Sequence, residues 1–272
     1  MYLPIIYLII CILINCAAFI LGLGFLGQIL VLIMGLNVFI LQKFIHRDLL
    51  KNLGFRKCGL VSLGKGFLLP ISILGFISII NIFSGFVKIQ SLSEIKNPFN
   101  SGLPISSLND LLIFLLINFS ILFILEFFTE ELLFRGYLLN RLSIRMGEMK
   151  GIFISSIIFG LWHLPISIWL IGFDPIRTSI YILNMFLLGS VFSSLFLESR
   201  SLIPVAIFHA LWNTLEYNLY GFANQTGLLT GTNRILFDPE EGIIGTAVLL
   251  IWAVVLFSKK LELKKGITQH AT

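Results

Sequence analysis

Long apolar runs dominate the chain, each interrupted by a short polar or basic stretch. A hydrocarbon core of about 30 Å needs roughly 20 apolar helical residues to cross it. Eight segments meet that need, near Leu3–Leu21, Phe25–Leu41, Phe67–Phe83, Leu111–Leu133, Ile152–Ile171, Ile180–Leu197, Leu202–Tyr220 and Ile243–Phe257. Only a short Gly-containing link parts the first two, so they read as one hairpin or one long tilted element. The helical pattern of the fourth continues to about Leu142, which predicts a long helix that leaves the bilayer. The fold class expected is all-α, a polytopic transmembrane bundle of about eight spans. Its expected parts are N-terminal membrane helices over 1–109, a membrane core over 110–258 and a cytoplasmic tail over 259–272.

Composition sharpens this picture. The 272 residues are 57% hydrophobic and 12% charged, whereas soluble domains run about 45–50% apolar and about 25% charged. The 26 Phe residues are a load that only lipid or a bundle interior can take up. Cys11, Cys16 and Cys58 form no disulfide framework and no CxxC pair. The net charge of +5 resides mainly in loops and is read as orienting the chain, not as binding nucleic acid.

Sorting the loops by charge sets an orientation. Lys43, Arg47, Lys51, Arg56, Lys57, Arg141, Arg145, Lys150, Arg200, Lys259, Lys260, Lys264 and Lys265 fall on one side; Lys88, Lys96, Arg177 and Arg234 fall on the other. Lys65 and Arg135 lie near or inside spans and are set aside. The asymmetry places both termini in the cytoplasm, with an even number of crossings. The first apolar run lacks a basic leader and is followed by further spans, so it is expected to be a retained helix. The abundance of Ile, Phe, Asn and Lys points to an AT-rich genome and a bacterial plasma membrane. Nothing resembles paired broken segments in two matching halves, the pointer to a transporter.

Ionisable side chains inside spans are costly and mark functional sites by default. They concentrate on three helices: Glu126, Glu130, Glu131 and Arg135 on the fourth, His163 on the fifth, and His209, Asn213 and Glu216 on the seventh. Glu131 and Arg135 are four apart and can pair, while Glu130 is turned about 100° from Glu131. That leaves Glu130 free. At about 1.5 Å per residue, Glu130 lies roughly 16 Å from Arg141, His209 roughly 12 Å from Ser201 and His163 roughly 20 Å from Lys150. The three groups share a depth at or on the cytoplasmic side of the midplane, which predicts one polar pocket open to the cytoplasm. A single membrane His is as often an interhelical hydrogen-bonder as a catalyst, Glu131 with Arg135 reads as a structural pair, and Glu126 and Glu216 are candidates of lesser weight. It is the combination of Glu130, His163, His209 and Asn213 that carries the signal.

In order, these helices read Glu130-Glu131-Leu-Leu-Phe-Arg135-Gly, Phe159-Gly-Leu-Trp-His163 and His209-Ala-Leu-Trp-Asn213. The patterns EExxxR, FxxxH and HxxxN resemble those of the CAAX prenyl protease and bacteriocin-processing family of intramembrane proteases, also called CPBP or Abi. Ser201-Leu-Ile-Pro204 and Asp238-Pro-Glu-Glu-Gly242 add to the likeness, which covers most of 110–257. The resemblance implies an endopeptidase in which Glu130 activates water beside His163, His209 and Asn213 bind the oxyanion, and Glu131 and Arg135 support. It also implies a peptide or membrane-protein substrate, and bacterial cells generally lack prenylated CAAX proteins. Glu126, four before Glu130, is the uncommon feature. Two carboxylates so placed repel when both are ionised.

The chemistry is sensible on its own terms. Peptide hydrolysis needs a base for water and donors where negative charge develops, each worth roughly 3–4 kcal/mol. Two His and one Glu also form the ligand set of some catalytic zinc sites, so His163, His209 and Glu130 are the candidate ligands if zinc is used. There is no HExxH, and metal-independent chemistry is the preferred reading of the minimal site. The competing readings are a non-catalytic interaction or bacteriocin-immunity protein, and a proton-coupled transporter or channel. A reporter fused after Thr272 is expected to score as cytoplasmic; an external score overturns the topology.

Overall fold

The computed structural model describes residues 2–95, 105–223 and 225–269. Lys96, part of the outer loop 85–110, and the side chains of Lys259, Lys260, Lys264 and Lys265 lie outside the described residues. The first two apolar runs form a hairpin: α1 (Leu3–Ile20) and α2 (Phe25–Ile40), with α2 prolonged by a wider helical turn over Leu41–Ile45. Helix α3 (Leu60–Phe83) begins earlier than its apolar pattern predicts and carries Lys65 within it. There Lys65 pairs with Glu198 across the bundle surface.

The long fourth helix is present as expected. It starts as α4 (Leu108–Glu126), where the Ser107 hydroxyl caps the Asp110 N–H. It widens to a π-helical stretch over Phe127–Leu139 and closes as α5 (Asn140–Met146). Helices α6 (Glu148–Trp162) and α7 (Pro175–Ser199) follow, joined through His163 and a second π-helical turn over Ile166–Gly172. Asp174 caps α7 by accepting from Arg177 N, with Pro175 at the first helical position, where its missing N–H costs nothing. Helix α8 (Leu202–Leu219), the short α9 (Arg234–Phe237) and α10 (Ile243–Gln269) complete the chain.

Among the described residues, six helices are long and apolar enough to cross a membrane, and a shorter apolar stretch covers Ile243–Ser258. The chain is therefore a helical polytopic bundle, with six such helices where eight spans were expected. Helix α8 is not among the six, and its sequence explains why: it carries His209, Asn213 and Glu216. It tolerates them because it lies inside the bundle, packed on α3, α4, α7 and the 127–139 stretch. A helix shielded from lipid by other helices need not be apolar all round.

Small residues set the closest helix approaches, as in membrane bundles generally. A Cβ on Gly66 of α3 would stand 2.6 Å from Pro204 O of α8. A Cβ on Gly35 of α2 would stand 2.0 Å from Phe128 O, so α2 crosses the fourth helix in backbone contact at the start of its wide stretch. At the end of the bundle away from Lys43 and Arg141, the segment 220–242 folds across the helix ends. Arg234 ties it down by donating to the carbonyls of Tyr220, Gly221 and Gln225 and to Asp238. Strand β1 (Lys88–Ile89) pairs antiparallel with β2 (Leu229–Thr230), pinning this segment to the loop after α3.

The Gly35 crossing is testable. Gly35→Val has no room for its side chain, and overpacking of this kind costs about 1–3 kcal/mol. Its thermal unfolding in detergent is expected several degrees below that of the unchanged protein, and an unshifted transition refutes the close crossing.

Candidate active site

The polar residues of the fourth helix sit where its winding changes. Glu126 is the last residue of α4, and Glu130, Glu131 and Arg135 lie in the π-helical stretch. Such i→i+5 turns are rare overall and frequent at functional sites. Glu126 and Glu130 line one cavity, while Glu131 and Arg135 point into the protein behind it.

Behind the cavity, Arg135 Nη1 donates to Glu131 Oε1 at 2.9 Å, with both side chains essentially inaccessible. The guanidinium is also packed on aromatic faces, 4.1 Å from the Phe159 ring centroid and 4.9 Å from that of Phe192. This partly replaces the hydration that burial removed. The same Glu131 oxygen accepts from His209 Nδ1 at 2.8 Å. Glu131 thus does more than pair with Arg135: it orients the His209 ring and turns Nε2 toward the cavity. Phe159 is the hub of the layer, 4.6 Å from the His163 ring and 6.2 Å from the His209 ring.

Glu130 and His163 are each held at one end and open at the other. Trp162 Nε1 donates to Glu130 Oε1 at 2.9 Å. His163 Nδ1 lies 2.8 Å from the Phe159 carbonyl. A carbonyl only accepts, so Nδ1 carries the proton and the Nε2 lone pair of the neutral ring faces outward. Nε2 stands 3.8 Å from Glu130 Oε2, too far for a hydrogen bond. That oxygen is buried and has no partner among the described protein atoms.

Across the cavity, Asn213 Nδ2 donates to Glu126 Oε1 at 3.0 Å, and His209 Nε2 is 3.7 Å from Glu126 Oε2. One ligand atom each from Glu126, Glu130 and His209 lies within 4.8 Å of the others, close enough to hold a metal ion. The ligand set read from sequence differs from this group in one member. His163, expected beside His209 and Glu130, is not in the converging group, and Glu126 takes its place. The donors suit a divalent cation: two carboxylates and an imidazole whose other nitrogen is anchored on a carboxylate, the usual support for a metal-binding His.

Glu130, His163, His209, Asn213 and Glu126 all line one cavity of about 490 Å³. Its remaining walls are mostly apolar, and it extends past Leu170 and Phe222 to Phe19, Phe25 and Gln28 around the α1–α2 turn. The end of the bundle carrying Lys43, Arg141 and Arg200 lies on the other side of the Arg135–aromatic layer. The expectation of a cytoplasmic opening is therefore corrected: the cavity leads to the end opposite the basic loops. Depth along a helix measures how far a residue is from one end, and says nothing about which side of it is filled.

Glu216, the other lesser candidate, is buried on α8 but does not line the cavity. Two contributors escaped the sequence reading. Trp162 fixes Glu130, and Glu240 lines the cavity while accepting from Trp212 Nε1 at 2.7 Å. A signal for both was present: Leu-Trp precedes His163 and again precedes Asn213, and a Trp buried with polar partners nearby uses its N–H.

The bundle and its enclosed carboxylate–imidazole–amide pocket define an integral membrane protein with a candidate hydrolytic site. The family model described as Type II CAAX prenyl endopeptidase Rce1-like matches residues 112–215. That stretch includes all three motifs, agrees with the family they resemble, and supports an intramembrane CAAX-type protease in general. A search of curated proteins finds no match to the chain.

Removing Arg135 leaves Glu131 buried without its cation, a loss of about 3–5 kcal/mol. Arg135→Ala is expected to lower the yield and melting temperature of the purified protein and to release the His209 ring. A folded, fully active Arg135→Ala protein overturns the supporting role of the pair.

Proposed function

We propose that this protein is an intramembrane endopeptidase that hydrolyses a peptide bond of a peptide or membrane-protein substrate. Glu130 activates water together with His163, while His209 and Asn213 stabilise the oxyanion. The observation that carries this reading is the facing pair of open acceptors, Glu130 Oε2 and His163 Nε2, 3.8 Å apart with their other ends fixed. A water between them donates one hydrogen to each, which leaves its lone pair directed at a substrate carbonyl. As the oxygen attacks the carbonyl carbon, Glu130 takes one water proton. It returns that proton to the leaving nitrogen when the C–N bond breaks.

The oxyanion needs donors, and Asn213 has two N–H groups on Nδ2. One bonds Glu126 at 3.0 Å, and the second serves the substrate oxygen. His209 donates through Nε2 only as an imidazolium, because Nδ1–H is already given to Glu131. The neutral ring instead offers an Nε2 lone pair, the form in which Glu126, Glu130 and His209 would hold a divalent cation. Bound there, such an ion polarises a carbonyl or water oxygen. The oxyanion and metal roles of His209 thus differ by one proton. We assign the oxyanion role, which uses Asn213 and the free edge of His163 without an ion.

The first test is Glu130→Gln. The amide still accepts from Trp162 yet takes no proton from water, so folding is expected to persist while peptide release from reconstituted membranes falls by at least about 100-fold. Cleavage at the unchanged rate refutes the role of Glu130. Activity is expected to survive exhaustive chelation, and a loss reversed by Zn²⁺ reassigns His209 to a ligand.

A further inference from the structure

The cavity that holds the proposed catalytic groups is mostly apolar, yet it carries a third carboxylate beyond Glu126 and Glu130. Glu240 comes from the segment folded over the bundle end and reaches the cavity wall beside α8. Among the described residues, no Lys or Arg lines this cavity. The two arginines of the neighbouring segments are engaged elsewhere: Arg177 pairs with Glu241, and Arg234 pairs with Asp238. Asp238 in turn accepts from the backbone N–H groups of Glu240 and Glu241, and Asn184 Nδ2 donates to the Glu240 carbonyl at 2.9 Å. The Glu240 backbone is therefore held rigidly, while its side chain receives only the neutral Trp212 N–H, at 2.7 Å, in place of a cation.

We propose that Glu240 is the specificity-determining residue of this site and that it selects an apolar substrate segment bearing a Lys or Arg side chain beside the scissile bond. The proposal rests on the endopeptidase reading above and adds the charge of the substrate to it. A cationic side chain entering the cavity meets carboxylate oxygens on apolar walls, where charge-assisted hydrogen bonds are strong. An anionic one meets three carboxylates, Glu126, Glu130 and Glu240, which outnumber the one imidazolium of His209, and unmatched like charge is how interfaces reject wrong partners. A free C-terminal carboxylate close to the scissile bond meets the same penalty.

The test uses leucine-rich peptides that differ only in one central Lys, Gln or Glu, offered to the purified full chain in detergent. Cleavage is read as kcat/KM. Binding is read by tryptophan fluorescence with the Glu130→Gln protein, which keeps Glu240. The Lys peptide is expected to exceed the Glu peptide by about tenfold in both, equivalent to about 1.4 kcal/mol. An amide-capped peptide is expected to outbind the same peptide ending in a free carboxylate next to the central residue. Glu240→Gln preserves an acceptor for Trp212 and is expected to bring the Lys-to-Glu ratio close to one, and Glu240→Lys to invert it. The ratio, not the absolute rate, is the readout, so reduced yield of a variant does not obscure it. An equal ratio in the unchanged protein, or a ratio that Glu240→Gln leaves intact, overturns the proposal. If no peptide is cleaved, the endopeptidase reading fails by itself, while the binding ratio still decides the role of Glu240.

Discussion

The site hangs on one buried carboxylate. Glu131 accepts from Arg135 on its own helix and from His209 on α8 through the same oxygen, with its side chain inaccessible. A charge placed inside a membrane bundle persists only when paired, and here the pairing also does chemistry. Arg135 gives Glu131 its buried partner, Glu131 accepts from Nδ1 of His209, and that contact turns the other nitrogen toward the cavity. The aromatic layer of Phe134, Phe159 and Phe192 around the guanidinium completes the support. It lies between the cavity and the basic end of the bundle, so the same contacts that hold the charges also wall one side of the cavity.

Built on this base, the polar groups of the cavity share a design in which each is fixed at one end. Trp162 holds one oxygen of Glu130, the Phe159 carbonyl holds Nδ1 of His163, and Trp212 holds Glu240. The free ends face a single cavity. Preorganisation of this kind removes the cost of orienting dipoles during reaction. The widened helical stretch over Phe127–Leu139 lets one helix contribute on two levels, with Glu130 at the cavity and Glu131 behind it. Glu126 sits between the roles: it bonds Asn213, faces His209, and makes the three-group cluster able to hold a metal.

Much of the architecture was legible in the chain itself, because the price of placing a polar group in hydrocarbon is levied residue by residue. Apolar length located the helices, including the unusually long fourth. The confinement of Glu126, Glu130, Glu131, Arg135, His163, His209 and Asn213 to three of them located the polar layer. The spacing of four between Glu131 and Arg135 foretold their pair. The span count was less legible. Hydropathy treats every polar residue as a debit, whereas α8 is enclosed by other helices and carries its polar groups at no cost to lipid.

What only the tertiary structure decided depends on direction and on partners distant in sequence. That Glu126, and not His163, converges with Glu130 and His209 turned on how three separate helices face one another. That His209 leans on Glu131, 78 positions away, and that Glu240 meets Trp212, 28 positions away, are contacts between separate segments with no local signature. The side on which the cavity opens was likewise set by where the Arg135 layer and the α1–α2 hairpin pack. The sequence by itself determined that this protein lies in a membrane and encloses a carboxylate–imidazole site, since burial cost acts on each residue alone. The packing of helices determined how those groups face one another, since orientation exists only between residues.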